Sequence, residues 1–192
     1  MTPHSISVVG MGYVGLCMAV AFASKGYKVI ASEINSEKVE MINNREPPFY
    51  EPHLQEKLLN AIEDGNFQCI SSTIDAVLNT DITFITVGTP SLPNGSIDLQ
   101  YIKGSSRDIG KALGKKDAYQ LVVVKSTVLP GTTERTVKTI IEEYSGKRCG
   151  VDFGLCMNPE FLREGSALYA VSYTHLRAHE TEADLVCRLL LE

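Results

Sequence analysis

Apolar residues along this chain fall into two rhythms. Short, nearly unbroken apolar runs alternate with longer stretches that carry one apolar stripe. The runs at Ile6–Val9, 28–31, Phe67–Ile70, 82–87, 121–124 and 151–157 read as strands. Residues 82–87 are apolar enough for a central place in a parallel sheet. The stretches between them read as helices. Residues 14–25 are small and apolar, with Gly26 as the stop. Ser36–Asn43 puts Val39 and Ile42 on one face, and residues 54–62 do the same with Leu54, Leu58, Leu59 and Ile62. Ser72 and Asp75 form a capping box ahead of Ala76 and Leu78. Asp98 is placed to cap a helix to Leu113, with Ile102, Ile109 and Leu113 inward. Residues 132–144 predict a helix whose Val137, Ile140, Ile141 and Tyr144 face the sheet. A proline-rich segment, 45–52, breaks any helix across it.

Strand–helix alternation of this kind predicts an α/β fold, a Rossmann-type doubly wound parallel sheet with right-handed crossovers. Ligands of such sheets bind at the carboxyl ends of the strands. Gly10, Glu33, Thr89, Ser126 and Asn158 each follow a predicted strand, so they are expected to gather on that edge.

The chain of 192 residues is 44% hydrophobic and 21% charged, with a net charge of -5. That balance is globular and gives no general pull toward nucleic acid or anionic membrane. The five cysteines, Cys17, Cys69, Cys149, Cys156 and Cys187, contain no Cys-x-x-Cys pair. They argue against a disulfide framework or zinc ribbon and for a reducing, cytoplasmic setting. No signal peptide and no apolar stretch of membrane-spanning length is read in the chain.

Gly10-Met11-Gly12-Tyr13-Val14-Gly15 follows a predicted strand and opens a predicted helix, the context a dinucleotide fingerprint needs. Gly10 makes the tight turn, Gly12 leaves room for the pyrophosphate, and Gly15 lets the helix approach the sheet. Tyr13 and Val14 begin that helix, whose free N–H groups face the phosphates. The bland alternative is a glycine turn with a structural role alone. Glu33 ends the second strand, where a carboxylate accepts both ribose hydroxyls and repels a 2′-phosphate, favouring NAD over NADP. Its alternative is an incidental surface acid. Lys38 either reaches the ribose or phosphates or is simply solvated. In residues 158–165, Glu160 and Glu164 flank an apolar pair and Arg163, a cluster able to orient a polar substrate and supply a general base.

Five segments in order resemble the UDP-glucose/GDP-mannose dehydrogenase family: GMGYVG at 10–15, PFYEPHLQEKL at 48–58, VGTP at 87–90, KSTVLPGT at 125–132 and NPEFLREG at 158–165. The resemblance runs from Ile6 to about Tyr169 and covers the family's NAD-binding domain. It implies oxidation of a sugar-nucleotide primary alcohol to a carboxylate in two NAD-dependent steps, through a cysteine thiohemiacetal and a thioester. UDP-glucose leads as substrate, ahead of UDP-N-acetylhexosamines and GDP-mannose. Carried onto this chain, Thr127 would help hold the catalytic water, Glu160 would assist its attack on the thioester, and Glu164 would lie near nicotinamide and substrate. The backbone of Phe161, Leu162 and Arg163 would touch the sugar nucleotide, and Thr89 and Ser126 would line the cofactor cleft. The family usually has aspartate at the position of Glu33 and often glycine at that of His53, which makes His53 a tolerated variant. Tyr50 and Glu51 belong to a loop near the family's active site, with no firm role assigned.

The family's nucleophilic cysteine stands in a glycine-rich segment with no counterpart here. Cys17 and Cys156 read as packed, structural thiols. The expected organisation is therefore an NAD-binding domain over 1–170, with residues 171–192 a foreign or disordered tail. His175 and His179 in that tail are four apart and followed by Glu180, but no third ligand is indicated, so no metal site is expected. The reading is an enzyme fragment that binds NAD, with a homodimer or larger assembly expected only if the missing half is present. A non-catalytic NAD-binding module is the other class, and the residues at 158–165 favour the first.

Overall fold

The computed structural model describes residues 4–160 and 162–168. Phe161 and the tail at 171–192 lie outside the described residues. Among those described, six strands form one parallel sheet: β1 (Ile6–Val9), β2 (Val29–Ser32), β3 (Phe67–Ile70), β4 (Ile82–Ile85), β5 (Gln120–Val124) and β6 (Phe153–Met157), in the order β3-β2-β1-β4-β5-β6. The order reverses between β1 and β4, which pair in parallel with Val9 opposite Ile85. That reversal opens a crevice beyond their carboxyl ends.

The helices are α1 (Tyr13–Ala23), α2 (Ser36–Asn43), α3 (Leu54–Glu63), α4 (Thr73–Leu78), α5 (Gln100–Leu113) and α6 (Lys138–Ser145). Two apolar clusters sandwich the sheet. Leu16, Val20, Leu54, Leu58 and Phe67 belong to the first, and Ile102, Ile109, Val122, Ile141 and Phe153 to the second. Local chemistry explains most of the boundaries. Asn35 accepts from the Lys38 N–H at 3.1 Å and starts α2, and Ser72 accepts from the Asp75 N–H at 3.1 Å and starts α4. Asp98 accepts from the Gln100 N–H at 2.8 Å, so it serves the first turn of α5. Each bond satisfies a donor that the helix itself leaves unpaired.

Two expectations need correction. The helix expected over 132–144 begins instead with one π-type turn, Thr133–Val137, before α6. Tyr144 does not face the sheet. It is 42% exposed, and its Cβ lies over Gly110, whose missing side chain makes room for it. Val137 and Ile141 carry the inward face of this helix, and both are fully buried.

His53 precedes α3 at φ 64°, in the left-handed region. A side chain costs roughly 1–2 kcal/mol there, while glycine loses more chain entropy on folding. His53→Gly is therefore expected to stabilise the domain by about 0.5–1 kcal/mol. Urea unfolding measures this, and a lower midpoint for the variant would contradict it.

Candidate functional site

The glycine turn is built by a close approach. Gly10 sits at φ 96°, and a Cβ at Gly15 would stand 1.9 Å from the Gly10 carbonyl oxygen and 2.6 Å from Thr86 Oγ1. Position 15 therefore excludes every side chain. Thr86, at the end of β4, holds the turn from below, its hydroxyl 2.9 Å from the carbonyls of both Val9 and Gly10. Gly12 differs. It caps α1 in extended backbone, and a Cβ there would meet no protein atom within 4 Å. The space over Gly12 belongs to the cleft.

That cleft, about 230 Å³, is lined by Gly12, Tyr13, Val14, Thr86, Val87, Gly88, Thr89, Lys125, Ser126, Thr127 and Glu160. Glu160 thus shares one cavity with the glycine turn, although far from it in sequence. Polar bonds stitch the strand ends beneath. Thr89 Oγ1 donates to the Thr127 carbonyl at 2.9 Å, Ser126 Oγ donates to the Val87 carbonyl at 2.7 Å, and Lys125 Nζ donates to Asn158 Oδ1 at 3.0 Å. With their protons spent inward, Thr89 and Ser126 present lone pairs to the cleft. A larger open groove of about 760 Å³ runs along the proline-rich segment past Phe49, Tyr50, Glu51 and His53, but it holds no glycine turn.

Glu33 is held ready at the end of β2. One carboxylate oxygen accepts from the Met11 N–H at 2.9 Å and the other from the Asn35 N–H at 3.0 Å. A carboxylate offers about four acceptor sites, so capacity remains for two ribose hydroxyls. Lys38 is half-buried on the first turn of α2. The residues present fit a dinucleotide: an unobstructed glycine, a helix N-terminus and a pre-oriented carboxylate.

In residues 158–168, Glu160 Oε2 accepts from the Leu162 N–H at 2.6 Å while its side chain borders the cleft. Arg163 and Glu164 are exposed, with no ion pair between them, and Glu164 is not among the cleft-lining residues.

Sequence reasoning leaves Glu51 without a role, and it proves to be a junction. Its side chain is buried, 4% exposed. Tyr13 donates its hydroxyl proton to Oε2 at 2.6 Å, Gly165 N–H donates to Oε2 at 2.8 Å, and Ala167 N–H donates to Oε1 at 2.8 Å. Burial alone would raise the Glu51 carboxyl, but the donors from Tyr13, Gly165, Ala167 and Leu168 outweigh it and hold it below the usual carboxylate range. Burial, and then the bond to Glu51, push the Tyr13 phenol up. The proline-rich context marks Glu51 as a loop residue, and nothing local names partners more than a hundred positions away.

Three of the four described cysteines, Cys17, Cys69 and Cys149, are poor nucleophiles, because burial raises their thiols. Cys17 is fully buried, and burial, with a smaller push from the Glu51 carboxylate, raises its thiol to about 12. Burial also raises Cys69 to about 12. Cys156 is half-buried within β6. Among the described residues no helix is long and apolar enough to cross a membrane, and no group of three His, Cys, Asp or Glu could hold a metal ion.

The two glycines predict opposite outcomes. Gly15→Ala forces backbone apart and should destabilise the fold by about 1–3 kcal/mol or more. Gly12→Ala should stay within about 0.5 kcal/mol of the parent in stability. It should nevertheless weaken NADH binding at least about tenfold. Urea unfolding and NADH fluorescence titration read both effects. Normal NADH binding by the Gly12→Ala variant would contradict the cleft assignment.

Comparison with known proteins agrees with this geometry. Residues 4–176 match the UDP-glucose/GDP-mannose dehydrogenase family, NAD binding domain, so the match continues past Tyr169. GDP-mannose 6-dehydrogenase of Azotobacter vinelandii is 44% identical over 163 residues, 85% of this chain and 37% of that protein. The crystal structure of GDP-mannose dehydrogenase from Pseudomonas aeruginosa superposes with a TM-score of 0.86 at 43% identity, covering 88% of this chain and 39% of that one. The UDP-glucose dehydrogenase of Pyrobaculum islandicum gives 0.82 at 46% identity, covering 87% and 38%. The chain thus spans well under half the length of these relatives. With its glycine turn, reversed strand order and five family segments in place, it belongs to the UDP-glucose/GDP-mannose dehydrogenase family and carries that family's NAD-binding domain.

Proposed function

We propose that this domain serves an enzyme that oxidises the primary alcohol of a nucleotide sugar to a carboxylate. The supporting observation is that Thr127 and Glu160 border the same cleft as Gly12. In this reading the turn at Gly10, Gly12 and Gly15 and the N-terminus of α1, at Tyr13 and Val14, receive the pyrophosphate. Glu33 accepts the adenosine ribose hydroxyls, with Lys38 beside it. Thr89 and Ser126 offer acceptors along the wall. Bound NAD supplies the hydride acceptor. Thr127 orients a water, since its hydroxyl both donates and accepts. Glu160 takes the water's proton as the water oxygen attacks the thioester carbon, and the C–S bond breaks to release the carboxylate and the thiol. The backbone at Leu162 and Arg163, with Phe161, meets the sugar nucleotide. Glu164 stands at the rim as a secondary acid.

GDP-mannose now precedes UDP-glucose as the proposed substrate, reversing the order drawn from sequence. The higher TM-score and the A. vinelandii relative favour it. UDP-glucose stays the second reading because of the 46% identity to the P. islandicum enzyme. In this reading the thiol that holds the sugar aldehyde is none of the four described cysteines: burial raises the thiols of Cys17, Cys69 and Cys149, and Cys156 stands within β6.

Two measurements test the proposal. The chain should bind NAD more tightly than NADP, and Glu33→Ala should cost roughly 1.5–3 kcal/mol of NAD affinity. Tighter binding of NADP would overturn the role of Glu33. The 192-residue chain with NAD and either sugar nucleotide should give no sustained rise in NADH absorbance. Multiple turnover abolished by alkylation of Cys156 would overturn the assignment of the nucleophile.

A further inference from the structure

We propose that Glu51 is a positioning residue of the dinucleotide cleft: through its carboxylate it locks residues 162–168 and Tyr13 into the arrangement that shapes the Glu160 end of the cavity. The inference rests on the cleft being the NAD site.

Three observations converge on this side chain. First, its partners come from two segments remote from it and from each other. Tyr13 opens α1 within the glycine turn, while Gly165 and Ala167 lie at and beyond the end of the octapeptide at 158–165. Glu51 is thus the bridge between the cleft-lining Tyr13 and the segment that follows the cleft-lining Glu160. Tyr13 itself reaches toward the same segment, since the Arg163 carbonyl oxygen lies 3.1 Å from its hydroxyl. Phe49 steadies the tyrosine ring from the proline-rich segment, with centroids 5.2 Å apart.

Second, the site demands an anion. Tyr13, Gly165 and Ala167 all act as donors to Glu51, and no Lys or Arg pairs with it among the described residues. Backbone N–H groups converging on a buried carboxylate neutralise it as an anion nest does. An amide of the same shape must turn its NH₂ toward N–H donors on one side or the other. Glutamine is therefore a poor replacement despite its equal volume.

Third, the clamp connects to the candidate base. Glu160 and Tyr13 border one cavity, and Glu160 is tied to Leu162 within the segment that Glu51 anchors. In the proposed reading, Glu33 and the turn at Gly12 receive the adenosine diphosphate half. A loss at Glu51 should therefore be felt by the nicotinamide half of the cofactor and not by the adenosine half. A purely structural carboxylate would affect both halves alike.

The experiment titrates NADH and ADP against the full chain and against Glu51→Gln, by NADH fluorescence and by displacement. We expect E51Q to weaken NADH about tenfold while ADP stays within about twofold of the parent. Hydrogen exchange at Gly165 and Ala167 should speed up in E51Q, with β1, β4 and β5 still protected. Should E51Q fail to fold, Tyr13→Phe deletes one hydroxyl and should give the same NADH-selective loss at about threefold. NADH and ADP affinities that fall together, or that both stay unchanged, overturn the positioning role. If the parent chain binds neither ligand, the cleft reading itself fails, a result distinct from loss of selectivity.

Discussion

The first turn of α1 lies against the sheet because position 15 carries no side chain. The Gly10 carbonyl occupies the place where a Cβ would project, 1.9 Å away, and Thr86 Oγ1 closes the remaining space at 2.6 Å. This approach sets the height of the helix N-terminus above β1 and β4. It therefore sets where the unpaired N–H groups point and how deep the cleft over Gly12 becomes. Thr86 belongs to the same constraint, since its hydroxyl sits between the carbonyls at the end of β1. The rest of the cleft is arranged around this contact.

Beyond the turn, the wall is held by polar bonds between neighbouring strand ends. Thr89 reaches the Thr127 carbonyl, Ser126 reaches the Val87 carbonyl, and Lys125 reaches Asn158. Where the strands of a parallel sheet end, their backbone ladder ends too. Side chains that donate across the gap take over that task, and they fix the surface of the cleft. The segment at 162–168, which follows Glu160, is not itself a strand. It leans on the buried carboxylate of Glu51, whose charge is met by N–H and O–H donors.

Much of the architecture is legible in the residues. Ile6–Val9, Ser36–Asn43 and Phe67–Ile70 have the same bounds in sequence pattern and in structure, because short apolar runs and one-faced stripes report burial directly. The place of Glu33 directly after β2 is legible as well, since its distance from the glycines follows from the βαβ unit. Tyr144 misleads because helical periodicity marks a stripe without saying where the sheet ends; Gly110 on α5 receives it at the margin. The π-type turn at Thr133–Val137 is invisible in sequence, as its apolar spacing matches an ordinary helix over so short a stretch. Proximity along the chain groups Glu164 with Glu160, yet Glu164 is exposed and is not among the cleft-lining residues.

By itself the sequence determined the alternation of strands and helices, the glycine turn and the acid that follows β2. Each depends on neighbours within about thirty residues, where local spacing and turn chemistry dictate the outcome. Tertiary structure decided which distant side chains share a cavity. Glu160 meets Gly12 through the strand order, and Glu51 meets Tyr13, Gly165 and Ala167 through chain packing. The physical reason is the cost of burial. A carboxylate can leave water only where converging donors replace it, and those donors exist only after the sheet and its helices have assembled.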